Sequence, residues 1–191
     1  VETFASVTYI FQGGSSAFHS MGTEKSKGSR LHSVSGDCEQ PGLYELPQGT
    51  PLSQLLHLCG AKATQCVQVG GPSGQLLFPE QFDTTLDFEG PGHGGAIMVF
   101  DTSRSVMNIT RNFSNFFRHE SCGFCTPCRA GTVALSHLLE RYTNLPENRQ
   151  QTSNDLLELT ELMNKSSHCG LGKTAGQPVA SMLKWANHHD R

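Results

Sequence analysis

Cys122-Gly-Phe-Cys125-Thr-Pro-Cys128 sets three thiols at two consecutive C-x-x-C steps, and a lone Cys169 answers them far downstream in His168-Cys-Gly-Leu-Gly172. One tight loop carrying three sulfurs can wrap one face of an inorganic cube, and a fourth sulfur from another segment closes the opposite corner. Cysteine runs of this kind hold [4Fe–4S] clusters, so Cys122, Cys125, Cys128 and Cys169 are the candidate metal ligands. Zinc is the alternative, in a zinc-stabilised interaction module without enzymatic activity. Structural zinc, however, usually takes two separated C-x-x-C pairs. The count of seven cysteines is odd and no signal-peptide pattern opens the chain, so a disulfide framework is not indicated and the cytoplasm is the expected compartment.

Outward from this motif the pattern is helical. Val106, Ile109, Phe113, Phe116 and Phe117 recur at helical spacing up to the cysteine loop. Thr126-Pro127 reads as an N-cap with proline at the first helical position, so a second helix begins inside the motif, carrying Val133, Leu135, Leu138, Leu139 and Tyr142. A third helix, capped near Ser153, carries Leu156, Leu157, Leu159, Leu162 and Met163. A fourth starts near Pro178 with Val179, Met182, Leu183 and Trp185. Four short-linked helices predict an antiparallel four-helix bundle over 103–191. The loops between helices one and two and between three and four then lie at one end, where all four sulfurs converge. Arg118, Arg129 and Lys173 are cationic neighbours that would offset cluster charge, or else ordinary solvated surface.

The preceding stretch is of another texture. Residues 1–21 read as a helix, a Gly13-Gly14 break and a second short turn or helix, with Val7, Ile10, Phe11, Phe18 and Met21 on one face; 22–29 is a polar connector. Over 30–102 the pattern predicts strands at Leu31–Ser35 and Leu43–Leu46, then a helix starting at Thr50-Pro51 with Leu52, Leu55, Leu56 and Cys59 inward. Strands follow at Cys66–Val69 and Ala96–Phe100. This order is consistent with a compact β-grasp unit, making the whole chain α+β. The opening Val1-Glu2-Thr3-Phe4 lacks a methionine and reads as the interior of a longer polypeptide.

Composition excludes several functions. A net charge of −3 without a basic stripe argues against nucleic acid. No apolar run approaches a membrane span. Gly172-Lys173-Thr174 resembles the end of a P-loop, but Ser167 stands where that motif needs a glycine. Cys59 and Cys66 read as core residues, Cys38 has no ligand spacing, and His188-His189 reads as surface.

Glu120-Ser-Cys-Gly-Phe-Cys-Thr-Pro-Cys-Arg-Ala-Gly131 with Ser167-His-Cys-Gly-Leu-Gly172 resembles the cluster domain of the NADH-oxidising flavoprotein subunits. That family comprises the NADH-binding subunit of respiratory complex I, the diaphorase subunit of NAD-reducing nickel–iron hydrogenases and the β subunit of NAD-dependent formate dehydrogenases. Val1-Glu2-Thr3 resembles the end of its Asn-Asn-Val-Glu-Thr segment, and Ser33-Val-Ser-Gly-Asp-Cys-Glu-Gln-Pro-Gly-Leu-Tyr44 the start of its β-grasp (SLBB) domain. Ser35-Gly-Asp-Cys-x-x-Pro-Gly-x-Tyr44 with Cys169-Gly-Leu-Gly172 is most similar to the hydrogenase branch, while Gly70–Gly74 and Gly92–Gly95 are similar to the formate dehydrogenase branch. The resemblance implies three parts: the end of an FMN-binding domain with linker at 1–29, an SLBB-like β-grasp domain at 30–102 and a helical-bundle 4Fe-4S domain at 103–191. It also implies that NADH passes hydride to FMN, which releases single electrons to the [4Fe–4S] cluster. Thr3, Gly170 and Leu171 would lie beside the flavin. The family's glycine-rich FMN and NAD(H) domain precedes Val-Glu-Thr and is not in this sequence, so this chain is expected to hold the cluster without binding NADH. The implied partners are a thioredoxin-like [2Fe–2S] subunit and further iron–sulfur subunits.

Overall fold

The computed structural model describes residues 1–91 and 94–189, with side chains to residue 187. Gly92 in the Gly92–Gly95 similarity, and the side chains of His188 and His189, lie outside the described residues. The chain divides into two compact units, one formed by 1–71 with 77–102, the other by 72–76 with 103–191.

The first unit opens with α1 (Glu2–Gly13) and α2 (Ser15–His19). Gly14 between them adopts φ +84°, a conformation open to glycine. No residue of α1 or α2 is buried, so the expected apolar face of Val7 and Phe11 stays exposed, Phe11 at 86%. Strands β1 (Ser29–Gly36) and β2 (Gly42–Pro47) form an antiparallel ladder from Ser29↔Pro47 to Val34↔Gly42. Alternation along β1 turns His32 and Val34 inward and leaves Leu31 and Ser33 exposed.

The predicted helix at Thr50-Pro51 needs correcting. These two residues are a short strand, β3, paired with β6 (Thr85–Leu86). That pairing keeps Pro51 extended, and it caps α3 (Leu52–Leu58) instead of entering it. Leu52, Leu55 and Leu56 of α3 are buried as expected. Beyond it come β4 (Thr64–Val69) and β7 (Ala96–Asp101), with β5 (Gln75–Leu77), of which only Leu77 belongs to this unit, between them in the chain. The sheet runs in the order β2-β1-β7-β4-β5, with β1 parallel to β7 and β7 antiparallel to β4. It is a mixed sheet in an α+β chain. The short strands β3, β5 and β6 were not read from sequence, since two or three residues show no alternation.

Val34, Leu52, Leu55, Leu56, Cys59, Val67, Val69, Leu77, Leu86, Ile97 and Val99 make the core of this unit. Leu55 is fully buried there. Leu55→Ala should cost about 2–5 kcal/mol, because the cavity adds to the lost transfer energy; chemical denaturation measures it. Cys66 is also fully buried, and desolvation pushes its thiol up to about 12. At pH 8 only about one thiol in ten thousand would be ionised. Iodoacetamide should therefore spare Cys66 in the native protein and label it in urea, as peptide mass spectrometry will show.

The second unit is helical: α4 (Val106–Glu120), α5 (Thr126–Asn144), α6 (Arg149–Ser166), α7 (Gly170–Thr174) and α8 (Gln177–His189). The Ser105 hydroxyl caps α4 by accepting the Asn108 N–H. Helix α5 packs on α4 and α6, and α8 on α4 and α6. Val106, Ile109, Phe113 and Phe117 are buried on α4, but Phe116 is 44% exposed. The expected cap at Ser153 is wrong. A 3-10 turn at Pro146–Asn148 starts α6 earlier, and Ser153 lies buried within it. The stripe facing inward is Thr152, Ser153, Leu156 and Met163, so Leu157 and Leu162, one step off that face, are exposed. Met163 meets α5 where Gly131 has no side chain. Among the described residues, no helix is long and apolar enough to cross a membrane.

Candidate metal centre

Two loops of the helical unit carry the four cysteines. Helix α4 stops at Ser121, which is extended, and Gly123 turns the chain at φ +75°. The Arg129 guanidinium donates to the Gly123 carbonyl at 3.4 Å. Cys125, not the expected Thr126, is the N-cap residue of α5, and Pro127 lies within its first two positions. Thr126 enters the helix because the Arg129 N–H already bonds the Cys125 carbonyl at 3.0 Å. Cys128 thus sits in the first turn of a long helix, where free N–H groups and the dipole favour negative charge.

The Cys169 loop is folded against this one. The Cys125 thiol is held below its ordinary range, chiefly by the backbone N–H of His168 and then by that of Cys128. Phe124 and His168 meet edge to face, ring centroids 5.6 Å apart. At Gly172 a Cβ would lie 2.5 Å from Ser167 Oγ and 2.9 Å from the Cys128 Cβ, so only hydrogen fits between the two loops. The Ser121 hydroxyl lies 3.3 Å from Cys128 Sγ. Cys128 is buried, Cys125 half-buried, and Cys122 and Cys169 exposed; all are free thiols.

Segments far apart in sequence are thereby brought together by α5, α6 and the five-residue α7, which sequence reading missed because Gly170-Leu-Gly172 looks like loop. Ser121, Ser167 and Gly172 were missed too. Their only signal was small residues flanking cysteines.

Among the described residues, no three His, Cys, Asp or Glu side chains are grouped so as to hold one metal ion. Four sulfurs about 2.3 Å from a single tetrahedral zinc would crowd together, whereas a cube with a metal at each ligated corner keeps its cysteines further apart. The all-sulfur donor set and the glycine gap fit such a group. Arg118, Arg129 and Lys173 are exposed. Thr3 lies exposed on α1 of the first unit, and Gly170 and Leu171 begin α7 of the second.

An α+β chain whose helical unit joins two cysteine loops has the build of an iron–sulfur protein. Residues 108–189 match the family described as the NADH-ubiquinone oxidoreductase-F iron-sulfur binding region. The alpha chain of the NAD-reducing hydrogenase HoxS from Cupriavidus necator is 38% identical over 185 residues, spanning 96% of this chain and 31% of that protein. The F component of the NADH-quinone oxidoreductase from Mycobacterium bovis is 39% identical over 194 residues, 96% of this chain and 43% of that one. In structure, an NAD+-reducing [NiFe]-hydrogenase in its H2-reduced state superposes with a TM-score of 0.85 at 39% identity, over 96% of this chain and 32% of its own. Residues 108–189 thus match an iron–sulfur binding region, and the chain is similar to these oxidoreductase components over 96% of its own length. It spans less than half the length of these relatives.

Proposed function

We propose that Cys122, Cys125, Cys128 and Cys169 hold a [4Fe–4S] cluster, and that this chain is the electron-relay portion of an NADH:acceptor oxidoreductase flavoprotein subunit. The observation that carries this reading is the close approach at Gly172, where a Cβ would lie 2.5 Å from Ser167 Oγ and 2.9 Å from the Cys128 Cβ, which joins the triple motif to the Cys169 loop. The cluster supplies one-electron storage. The chain supplies the rest: thiolates to bind it, N–H donors to stabilise negative charge, and Phe124 and His168 lying against each other beside the cysteines.

The same reading assigns 1–29 to the end of an FMN-binding domain, 30–102 to an SLBB-like β-grasp domain and 103–191 to the cluster domain. Helices α4, α5, α6 and α8 are its antiparallel four-helix bundle. Electrons would come from FMN, reduced by NAD(H) on a preceding domain, with Thr3, Gly170 and Leu171 beside the flavin. They would leave to a thioredoxin-like [2Fe–2S] subunit and further iron–sulfur subunits of a cytoplasmic complex, most similar to the NAD-reducing hydrogenase.

Anaerobic reconstitution of the chain with ferrous iron and sulfide tests the cluster. The expected product absorbs broadly in the visible, bleaches on reduction and then shows an EPR signal. A colourless protein that takes up one zinc and no iron–sulfide would overturn the reading.

A further inference from the structure

Cys38 and Cys59 lie in the first unit and have no part in the metal centre. Cys38 sits just past β1, half-buried against the core that contains Cys59. Cys59 ends α3 and is fully buried. Their backbones are joined, the Gln40 N–H donating to the Cys59 carbonyl at 3.0 Å. A Cβ at the adjoining Gly60 would lie 3.0 Å from the Cβ of Glu39. Cys38 is packed against the cluster that holds Cys59, whose Sγ donates to the Leu56 carbonyl at 3.3 Å. Two cysteines of one core cluster on backbones joined this closely are near neighbours, the condition that a disulfide requires and that distant pairs fail. The third cysteine of this unit, Cys66, lies in β4.

We infer that Cys38 and Cys59 form a reversible thiol–disulfide couple, closed by exchange with a low-molecular-weight disulfide such as oxidised glutathione. Exposure sets the order of events. The half-exposed Cys38 thiolate attacks one sulfur of the small disulfide, forming a mixed disulfide and releasing one thiol. The buried Cys59, as thiolate, then attacks the Cys38 sulfur and expels the second thiol. Two protein thiols and one small disulfide become one protein disulfide and two small thiols, so atoms, protons and electrons balance. Burial holds the Cys59 thiol above its ordinary range, which makes it a poor first nucleophile and leaves it to resolve. The closed bond would tie the β1–β2 connection to the end of α3 as a redox-sensitive clamp.

The test equilibrates the cluster-loaded protein anaerobically with glutathione and its disulfide over a range of ratios, then alkylates and maps thiols by mass spectrometry. Cleavage after Glu39 and Glu45 separates the two cysteines into different peptides. We expect a Cys38–Cys59 linked pair at oxidising ratios, reversed by dithiothreitol, with Cys66 free. In Cys59→Ser one glutathionyl group should remain on Cys38, and in Cys38→Ser Cys59 should take up none. Wild-type protein that keeps both thiols alkylatable, or carries a stable glutathionyl group on Cys38 instead of the link, would refute the couple. Equal glutathionylation of Cys59 in Cys38→Ser would refute the assigned order.

Discussion

Cys128→Ala should leave the protein unable to hold its cluster. Cys128 is the buried member of the four, with its sulfur beside the Ser121 hydroxyl and its backbone in the first turn of α5. On the proposed reading, removing that sulfur takes away a ligand where solvent has little access to replace it. The helix itself should survive, since alanine is its best former. Far-ultraviolet circular dichroism is expected to stay within error of wild type. Iron per chain should fall to near background, and electron transfer from flavin to acceptor in the assembled enzyme should drop at least about 100-fold, beyond the 10–100-fold typical of outer-shell losses. Normal iron content in this variant would mean that Cys128 is a core residue and not a ligand.

Gly172→Ala should be nearly as damaging, although it touches no sulfur. A Cβ there would lie 2.5 Å and 2.7 Å from Oγ and Cβ of Ser167 and 2.9 Å from the Cys128 Cβ. Relief requires moving the Ser167–Cys169 loop away from Cys128, and His168 of that loop also meets Phe124 of the triple motif edge to face. A stability loss of about 1–3 kcal/mol is expected from overpacking, with cluster affinity reduced about 10–100-fold. Gly131→Ala provides the contrast. Its new Cβ would lie 2.5 Å from Met163 Sδ, but a thioether chain can rotate aside, so iron content should be retained. If both glycine variants bind iron equally well, the close approach at Gly172 has no part in holding the centre.

Much of this was legible beforehand where periodicity was long or chemistry dense. Helices α4 and α5 announced themselves through repeated apolar residues, and the C-x-x-C-x-x-C run needed no neighbours to be recognised. Reading failed where a few residues decide the outcome. Thr50-Pro51 carries a good helix-start signal, yet pairing with Thr85–Leu86 keeps it extended. Ser153 is a good cap by type, but the turn at Pro146–Asn148 begins α6 earlier and buries it. Leu157 and Leu162 belong to an apolar cluster in sequence and to solvent in space. Leu156, Leu157, Leu159, Leu162 and Met163 cannot all face one side of a helix with about 3.6 residues per turn.

By itself, then, the order of residues determined which thiols are on offer, their soft all-sulfur character and the existence of the long helices, because these depend on side-chain identity and local spacing. The folded arrangement alone decided that a serine and a bare glycine hydrogen sit between the two cysteine loops. It alone set Cys38 against Cys59. Contacts between segments distant in the chain depend on how elements pack, and no local pattern encodes which small groups meet there.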